Sequence, residues 1–320
     1  MDYVAKKEQA LKSKIIAQTK QADFAEFWTS QVETLRKKPL KVTKKKIETP
    51  YDRLLTTYEI TYNTCDDTIV NAYFTKPTNS TGKLPCVALF GGGGSSRDIY
   101  AHIVSTGVCC FAMDNRSQGG DTFDNGDYSM GDGYRGSVGA CFSFDVLNKE
   151  SYYMKNLYLD AVRAIDVIST LEEVDNTKIV SHGISQGGAL SIVAAALSGK
   201  VIKTYPVVPS FSCLVERVEA GSGVFSAVKA YLTKHPENTD KVMNTLSYFD
   251  INNMVSLLSV PSHFMLGLID PICIPEFVYS VYTHAQGEKQ LTIEPFTPHN
   301  ISLNFQEKLH FEFSKLVEEK

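Results

Sequence analysis

Gly183-Ile184-Ser185-Gln186-Gly187 sets a serine between two glycines in the pattern G-x-S-x-G. The apolar run Lys178-Ile179-Val180 comes just before it, and the small-residue segment from Ala189 to Ala196 follows. Strand, tight turn and helix are the context of a nucleophile elbow. Glycine suits both flanks because a side chain there would crowd the backbone of a strained turn. A serine hydroxyl attacks poorly at neutral pH, so this chemistry needs a neighbouring base. The base in turn needs a carboxylate that fixes its tautomer and stabilises the imidazolium.

In elbow-bearing folds the chain order is serine, then acid, then histidine, with the groups at the carboxyl ends of strands. Of the seven histidines, only His284, His299 and His310 follow a plausible acid after Ser185. His284 lies in the helical pattern Phe277 to Gln286, and His310 lies in a terminal helical pattern; both read as helix-surface or packing residues. His299 follows the strand-like Gln290 to Glu294 and the breakers Pro295-Phe296-Thr297-Pro298, where a base should stand. Asp270 follows Phe264-Met265-Leu266-Gly267-Leu268-Ile269 and precedes Pro271, which puts it at a strand end. Asp240 and Asp250 read as caps, and Glu294 as pointing to solvent. Catalytic Ser185, Asp270 and His299 are the expected set. An oxyanion hole needs two donors: the N–H of Gln186, and one from the loop Gly91-Gly92-Gly93-Gly94 after an early strand. A phosphate loop is the competing reading of these glycines, but neither G-K-[ST] nor a fitting G-x-G-x-x-G accompanies them.

The elements that must hold these groups alternate. Two helices are expected over 5–38, the second capped by Asp23 with Glu26 three residues on. Residues 53–76 alternate as strands do. Apolar runs at Pro85 to Phe90, Val108 to Met113, Val201 to Val208 and His263 to Ile269 suit strands buried on both faces. A helical face joins Tyr153, Leu157, Ala161, Ala164, Ile165, Ile168 and Leu171. The expectation is a doubly wound, mostly parallel α/β sheet. An N-terminal helical extension (1–50) would pack on a single domain (51–320). Asn115 to Ser151 fits no period and reads equally as a functional segment or a surface loop.

With 320 residues, 43% hydrophobic and 21% charged, the chain is an ordinary globular protein. A net charge of -4 gives no nucleic-acid surface, and the cluster Lys37 to Lys46 reads as a solvated segment. Seven cysteines without framework spacing suggest buried free thiols, and the absence of C-x-x-C argues against zinc. Neither a signal peptide nor a membrane span is visible, so a cytoplasmic protein with no membrane partner is expected.

Together these residues resemble one known family, the cephalosporin C deacetylases and acetyl xylan esterases of carbohydrate esterase family seven. Asp23-Phe24-Ala25-Glu26-Phe27-Trp28 is similar to its D-F-x-E-F-W, and Met113-Asp114-Asn115-Arg116-Ser117-Gln118-Gly119 to its M-D-x-R-G-Q-G. Asp160 to Ala164 matches D-A-V-R-A, Gly183 to Gly188 matches G-x-S-Q-G-G, and Gly267 to Asp270 with Cys273 and Pro275 resembles its acid segment.

The resemblance implies an α/β-hydrolase and a serine carboxylesterase that works through an acyl-enzyme. It would remove acetyl groups from small acetylated carbohydrates, such as acetylated xylooligosaccharides and cephalosporin C-like acetates. No cofactor or metal is implied, and the expected assembly is a homo-oligomer, a hexamer. Arg116 and Gln118 would brace the site, and the N–H of Gly93 would join that of Gln186 in the oxyanion hole. Three positions depart from the family: Ser117 and Asn300 replace a glycine and a glutamate, and Gly93 stands where the family has tyrosine. The alternatives are a broader acyl hydrolase or thioesterase on the same triad, or a degenerate hydrolase acting as a scaffold.

Overall fold

The computed structural model describes residues 2–126, 138–221 and 223–318. Among the described residues nine strands form one sheet: β1 (Thr43–Ile47), β2 (Leu55–Asn63), β3 (Ile69–Pro77), β4 (Leu84–Phe90), β5 (Cys109–Met113), β6 (Val174–Ile184), β7 (Lys203–Val207), β8 (Ser262–Gly267) and β9 (Lys289–Glu294). The helices are α1 (Tyr3–Lys12), α2 (Phe24–Lys37), α3 (Ala101–Val104), α4 (Val138–Cys141), α5 (Tyr153–Ile168) and α6 (Gln186–Ser198), then α7 (Leu214–Ala220), α8 (Ser226–Lys234), α9 (Thr239–Ser247), α10 (Ile251–Met254), α11 (Pro275–His284) and α12 (Leu303–Glu318).

The strand order is β1-β2-β3-β5-β4-β6-β7-β8-β9. From β5 to β9 every pairing is parallel, while β1, β2, β3 and β5 pair antiparallel. The continuous apolar runs explain the parallel half: all residues of β4, β5 and β8 are buried. The alternating segment became the antiparallel half, where Tyr58, Ile60 and Tyr62 stand opposite Phe74, Ala72 and Val70. The chain leaves β4 toward β5 on one side and later returns to β6 on the other. That reversal opens a crevice at the carboxyl ends of β4 and β6, where the glycine loop and the serine turn both lie.

Three expectations need correcting. The lysine-rich stretch is not merely solvated: Thr43 to Ile47 forms edge strand β1, inside the expected 1–50 extension. Lysines suit an exposed edge because they discourage pairing with another chain, and Lys44 also lies 4.4 Å over the Tyr58 ring. Asp23 does stand at the N-terminus of α2, but its carboxylate makes no cap bond. It is drawn instead to Lys149 at 2.9 Å and to the Tyr248 hydroxyl. Finally, α5 is not buried on one face only; nearly all its residues are buried, because α2 and α6 both pack against it. Trp28 of α2 is fully buried there, and its indole N–H donates to Tyr248 O at 3.0 Å.

All seven cysteines are free, and every one except Cys65 is buried, as expected. Among the described residues no helix is long and apolar enough to cross a membrane.

Candidate active site

Ser185 sits between β6 and α6 with φ 60° and ψ -119°, a backbone conformation that non-glycine residues rarely adopt. Its neighbours hold it there: its N–H donates to Val207 O, and its carbonyl accepts from Ser210 N, each at 3.0 Å. The flanking glycines are steric requirements. A Cβ at Gly187 would overlap the Phe90 carbonyl, and one at Gly183 would overlap the Gly187 backbone and meet Phe90 O at 2.7 Å. The turn thus presses directly on the end of β4. The side chain of Ser185 is half-buried, so a ligand can reach it.

Asp270 follows the end of β8 and is buried. Its Oδ1 accepts the N–H groups of Ile272 and Cys273 at 2.8 and 2.9 Å, and its Oδ2 lies 2.9 Å from His299 Nδ1. A carboxylate can only accept, so Nδ1 carries a proton, and Nε2 has a free lone pair in the neutral ring, the form in which His299 can act as a base. The hydrogen bond to Asp270 and then the Cys273 side chain raise the His299 pKa to about 10, against the opposing effect of burial. Among the described residues no hydrogen bond joins Ser185 to His299. Such contacts are often long in ligand-free sites and tighten on substrate.

Gly267 explains how the histidine loop reaches the acid. A Cβ there would overlap Thr297 O and lie 3.1 Å from Pro298 O. In the sequence Gly267 shows only as part of the acid segment; its steric role depends on the Thr297 and Pro298 carbonyls thirty residues on.

The glycine loop is tied from beneath. Asn115 Nδ2 donates to Gly91 O at 3.2 Å and to Gly92 O at 3.0 Å. Gln118 Oε1 accepts from Gly94 N at 3.2 Å and from Gln186 Nε2 at 2.9 Å, so one side chain links the loop after β4 to the first residue of α6. Gln118 Nε2 donates to the Tyr153 hydroxyl, which donates to Arg116 O at 2.7 Å. Gly93 is exposed at the crest of this loop.

Arg116 touches none of these loop atoms through its guanidinium. Fully buried, it grips buried Asp160 through two bonds of 2.6 and 2.7 Å, and also Asp66 at 2.7 Å and Asp124 at 3.3 Å. Burial would raise Asp66, but Arg116 lowers it to about 2. For Asp160, burial wins and its pKa rises. Ser117, the residue in place of a family glycine, has φ 54°. Left-handed backbone costs an ordinary residue roughly 1–2 kcal/mol; the Ser117 hydroxyl offsets part of that by donating to Asp124 Oδ1 at 3.0 Å. The irregular segment 115–151 thus places buried Asn115, Arg116 and Gln118 beneath the site, while Asp121, Phe123 and Asn125 are exposed, and its stretch 127–137 lies outside the described residues.

The set-aside residues also have clear places. Asp250 caps α10 through Asn252 N and also holds Cys213 N and Leu214 N. Asp240 lies in the first turn of α9 and is not its cap. Glu294 is not simply solvent-facing: its Oε1 accepts from Ser302 Oγ at 2.7 Å. His284 ends α11 with Nδ1 3.0 Å from Asn252 Oδ1. Among the described residues, Asp270, Cys273 and His299 are the one group whose ligand atoms gather closely, all within 4.8 Å. Both carboxylate oxygens there are already engaged with N–H donors, an arrangement that serves a proton relay directly.

A mostly parallel sheet carrying a strained serine turn after β6 and an Asp–His pair after β8 and β9 defines the α/β-hydrolase class. The chain belongs to the acetyl xylan esterase family, whose model matches residues 2–316. An acetyl xylan esterase from Paenibacillus sp. R4 superposes with a TM-score of 0.87 at 28% identity, covering 97% of this chain and 99% of that one. Acetyl xylan esterase 1 from a Thermoanaerobacterium species shares the fold with a TM-score of 0.83 at 22% identity, covering 96% and 98%. The acetyl esterase Axe7A of Xylanibacter ruminicola is 26% identical over 287 residues, 87% of this chain; the match spans 63% of that relative's length.

Proposed function

We propose that this protein is a serine esterase that removes acetyl groups from small acetylated carbohydrates through an acetyl-enzyme. The observation that carries the reading is the Asp270–His299 hydrogen bond beyond the carboxyl ends of β8 and β9, on the same edge of the sheet as the strained Ser185 turn after β6. His299 Nε2 takes the Ser185 proton as Oγ attacks the acetyl carbonyl. The N–H groups of Gln186 and Gly93 bind the oxyanion, and His299 then gives its proton to the departing sugar oxygen. Water repeats the two steps and frees acetate. Gln118, held in place through Tyr153 by the carbonyl of buried Arg116, keeps the glycine loop and α6 in register for this hole. The family match and the Paenibacillus relative support acetyl esters as the substrate class. Xylooligosaccharides and cephalosporin-type acetates are the substrates to screen.

Ser185→Ala should abolish deacetylation while leaving the melting temperature close to that of the parent. A fluorophosphonate should label the parent at Ser185. Substantial turnover by pure Ser185→Ala protein would end this reading, and a folded parent that fails to label would favour a scaffold. The hexamer implied by family resemblance is a separate proposal, read by light scattering on the purified chain.

A further inference from the structure

Behind the glycine loop, on the α3 and α12 side of the sheet, lies a cavity of about 270 Å³. Leu89, Ile103, Ile184, Ile301, Leu309 and Phe313 give it an apolar body. Its floor is backbone of Gly91, Gly92 and Gly183, so it shares a wall with the serine turn. Three histidines also line it: His102, His182 and His310. None belongs to the proposed relay.

Their chemistry is specific. His182 is 5% exposed, and its Nδ1 lies 2.9 Å from Tyr205 O. A carbonyl only accepts, so Nδ1 bears the proton and Nε2 is a bare acceptor. Burial drives the His182 pKa down to about 4, so the ring stays neutral at physiological pH. The His310 ring lies 5.5 Å from that of His102, and its Nε2 is buried with no hydrogen-bond partner among the described residues. Buried polar atoms without partners are uncommon, and each asks for an explanation. Tyr100 adds a half-buried phenol to the wall. An apolar body with a few convergent polar atoms is the usual form of a small-molecule site.

We propose that this cavity is a binding site for a small neutral aromatic carrying a hydroxyl group. Its ring lies between Ile103, Leu309 and Phe313, and its O–H donates to His182 Nε2. An engineered apolar cavity of roughly 150 Å³ already holds benzene, so a phenol-sized ring fits with room for a substituent. Neutral imidazoles offer no counter-charge to a carboxylate, so the anionic counterpart is excluded near pH 7.

The test uses full-length Ser185→Ala protein, so that esterase chemistry plays no part. Phenol should bind saturably by calorimetry, and benzoate should not. In crystals grown with 4-bromophenol, the bromine anomalous peak should lie between β6 and α12. His182→Leu should weaken phenol about five- to tenfold, the worth of one hydrogen bond, and leave toluene binding undiminished. No saturable binding, a bromine peak outside the cavity, or unchanged phenol affinity in His182→Leu would each overturn the proposal. The bromine position decides even if His182→Leu fails to fold.

Discussion

Asp270→Asn strikes the proposed relay at an atom that nothing else replaces. The side chain of Asp270 is fully buried, with two amide donors on Oδ1 and His299 Nδ1 on Oδ2. Asparagine has nearly the same size but only one acceptor oxygen. Turning its NH2 toward Ile272 and Cys273 would leave both amides facing a donor, at roughly 1–3 kcal/mol for the buried Cys273 N–H and less for the part-exposed Ile272 N–H. The oxygen should therefore stay with those amides, and the NH2 should face His299. Nδ1 must then accept, which moves the ring proton to Nε2, the atom that should receive the Ser185 proton. In the serine-protease template this tautomer error lowers kcat about 10⁴-fold, or about 5 kcal/mol of barrier.

We expect a loss of that order in kcat for p-nitrophenyl acetate, with KM and melting temperature little changed. The pH profile gives a second readout. The base works only when unprotonated, and Asp270 is the first cause of the raised His299 pKa of about 10. The parent's kcat/KM should accordingly climb with pH on a limb above the ordinary imidazole value of about 6.5. In Asp270→Asn the residual limb should fall back toward that value. A loss below tenfold, or a parent limb at or below 6.5, would refute the relay.

Arg116→Ala leaves Asp160 buried without its main partner, and breaking such a pair typically costs about 3–5 kcal/mol; urea unfolding should show this, and a cost under 1 kcal/mol would contradict it. That deficit should narrow as pH falls, because a carboxyl raised in the folded state is stabilising only once protonated. Gly187→Ala puts a methyl into the Phe90 carbonyl, so kcat should collapse through displacement of the serine turn, and near-parental turnover would show that β4 can yield. Gly93 is exposed and carries no side chain where the family has tyrosine, so acetyl, butyryl and hexanoyl p-nitrophenyl esters should react at comparable rates, and Gly93→Tyr should introduce a preference for acetyl; a steep fall beyond acetyl in the parent would dispose of this idea.

The three residues of the proposed relay were legible because each marks a strand end in a fixed chain order. Ser185 follows β6, Asp270 follows β8 and His299 follows β9, and the apolar runs before them already suggested a parallel sheet. Their supports were less visible because they are tertiary. Asn115 reaches Gly91 and Gly92 across more than twenty residues, and Gln118 reaches Gln186 across 68. No local period encodes such a contact; only the family motif hinted at Arg116 and Gln118. The lysine-rich edge strand was missed for a related reason: β1 exposes nearly all its residues, so it has no apolar face to betray it.

The His182 cavity lies further still from anything a sequence can show. A histidine one residue before the serine turn looks like a strand residue until Tyr205 O is found on its Nδ1. That single hydrogen bond turns a core imidazole into a fixed acceptor facing an apolar space. The same device, a ring nitrogen fixed by an acceptor on the other side, operates at His299. There the acceptor is a carboxylate and the pKa rises; at His182 it is a neutral carbonyl, burial dominates and the pKa falls. One nitrogen is prepared to take a proton, and the other only to accept a hydrogen bond.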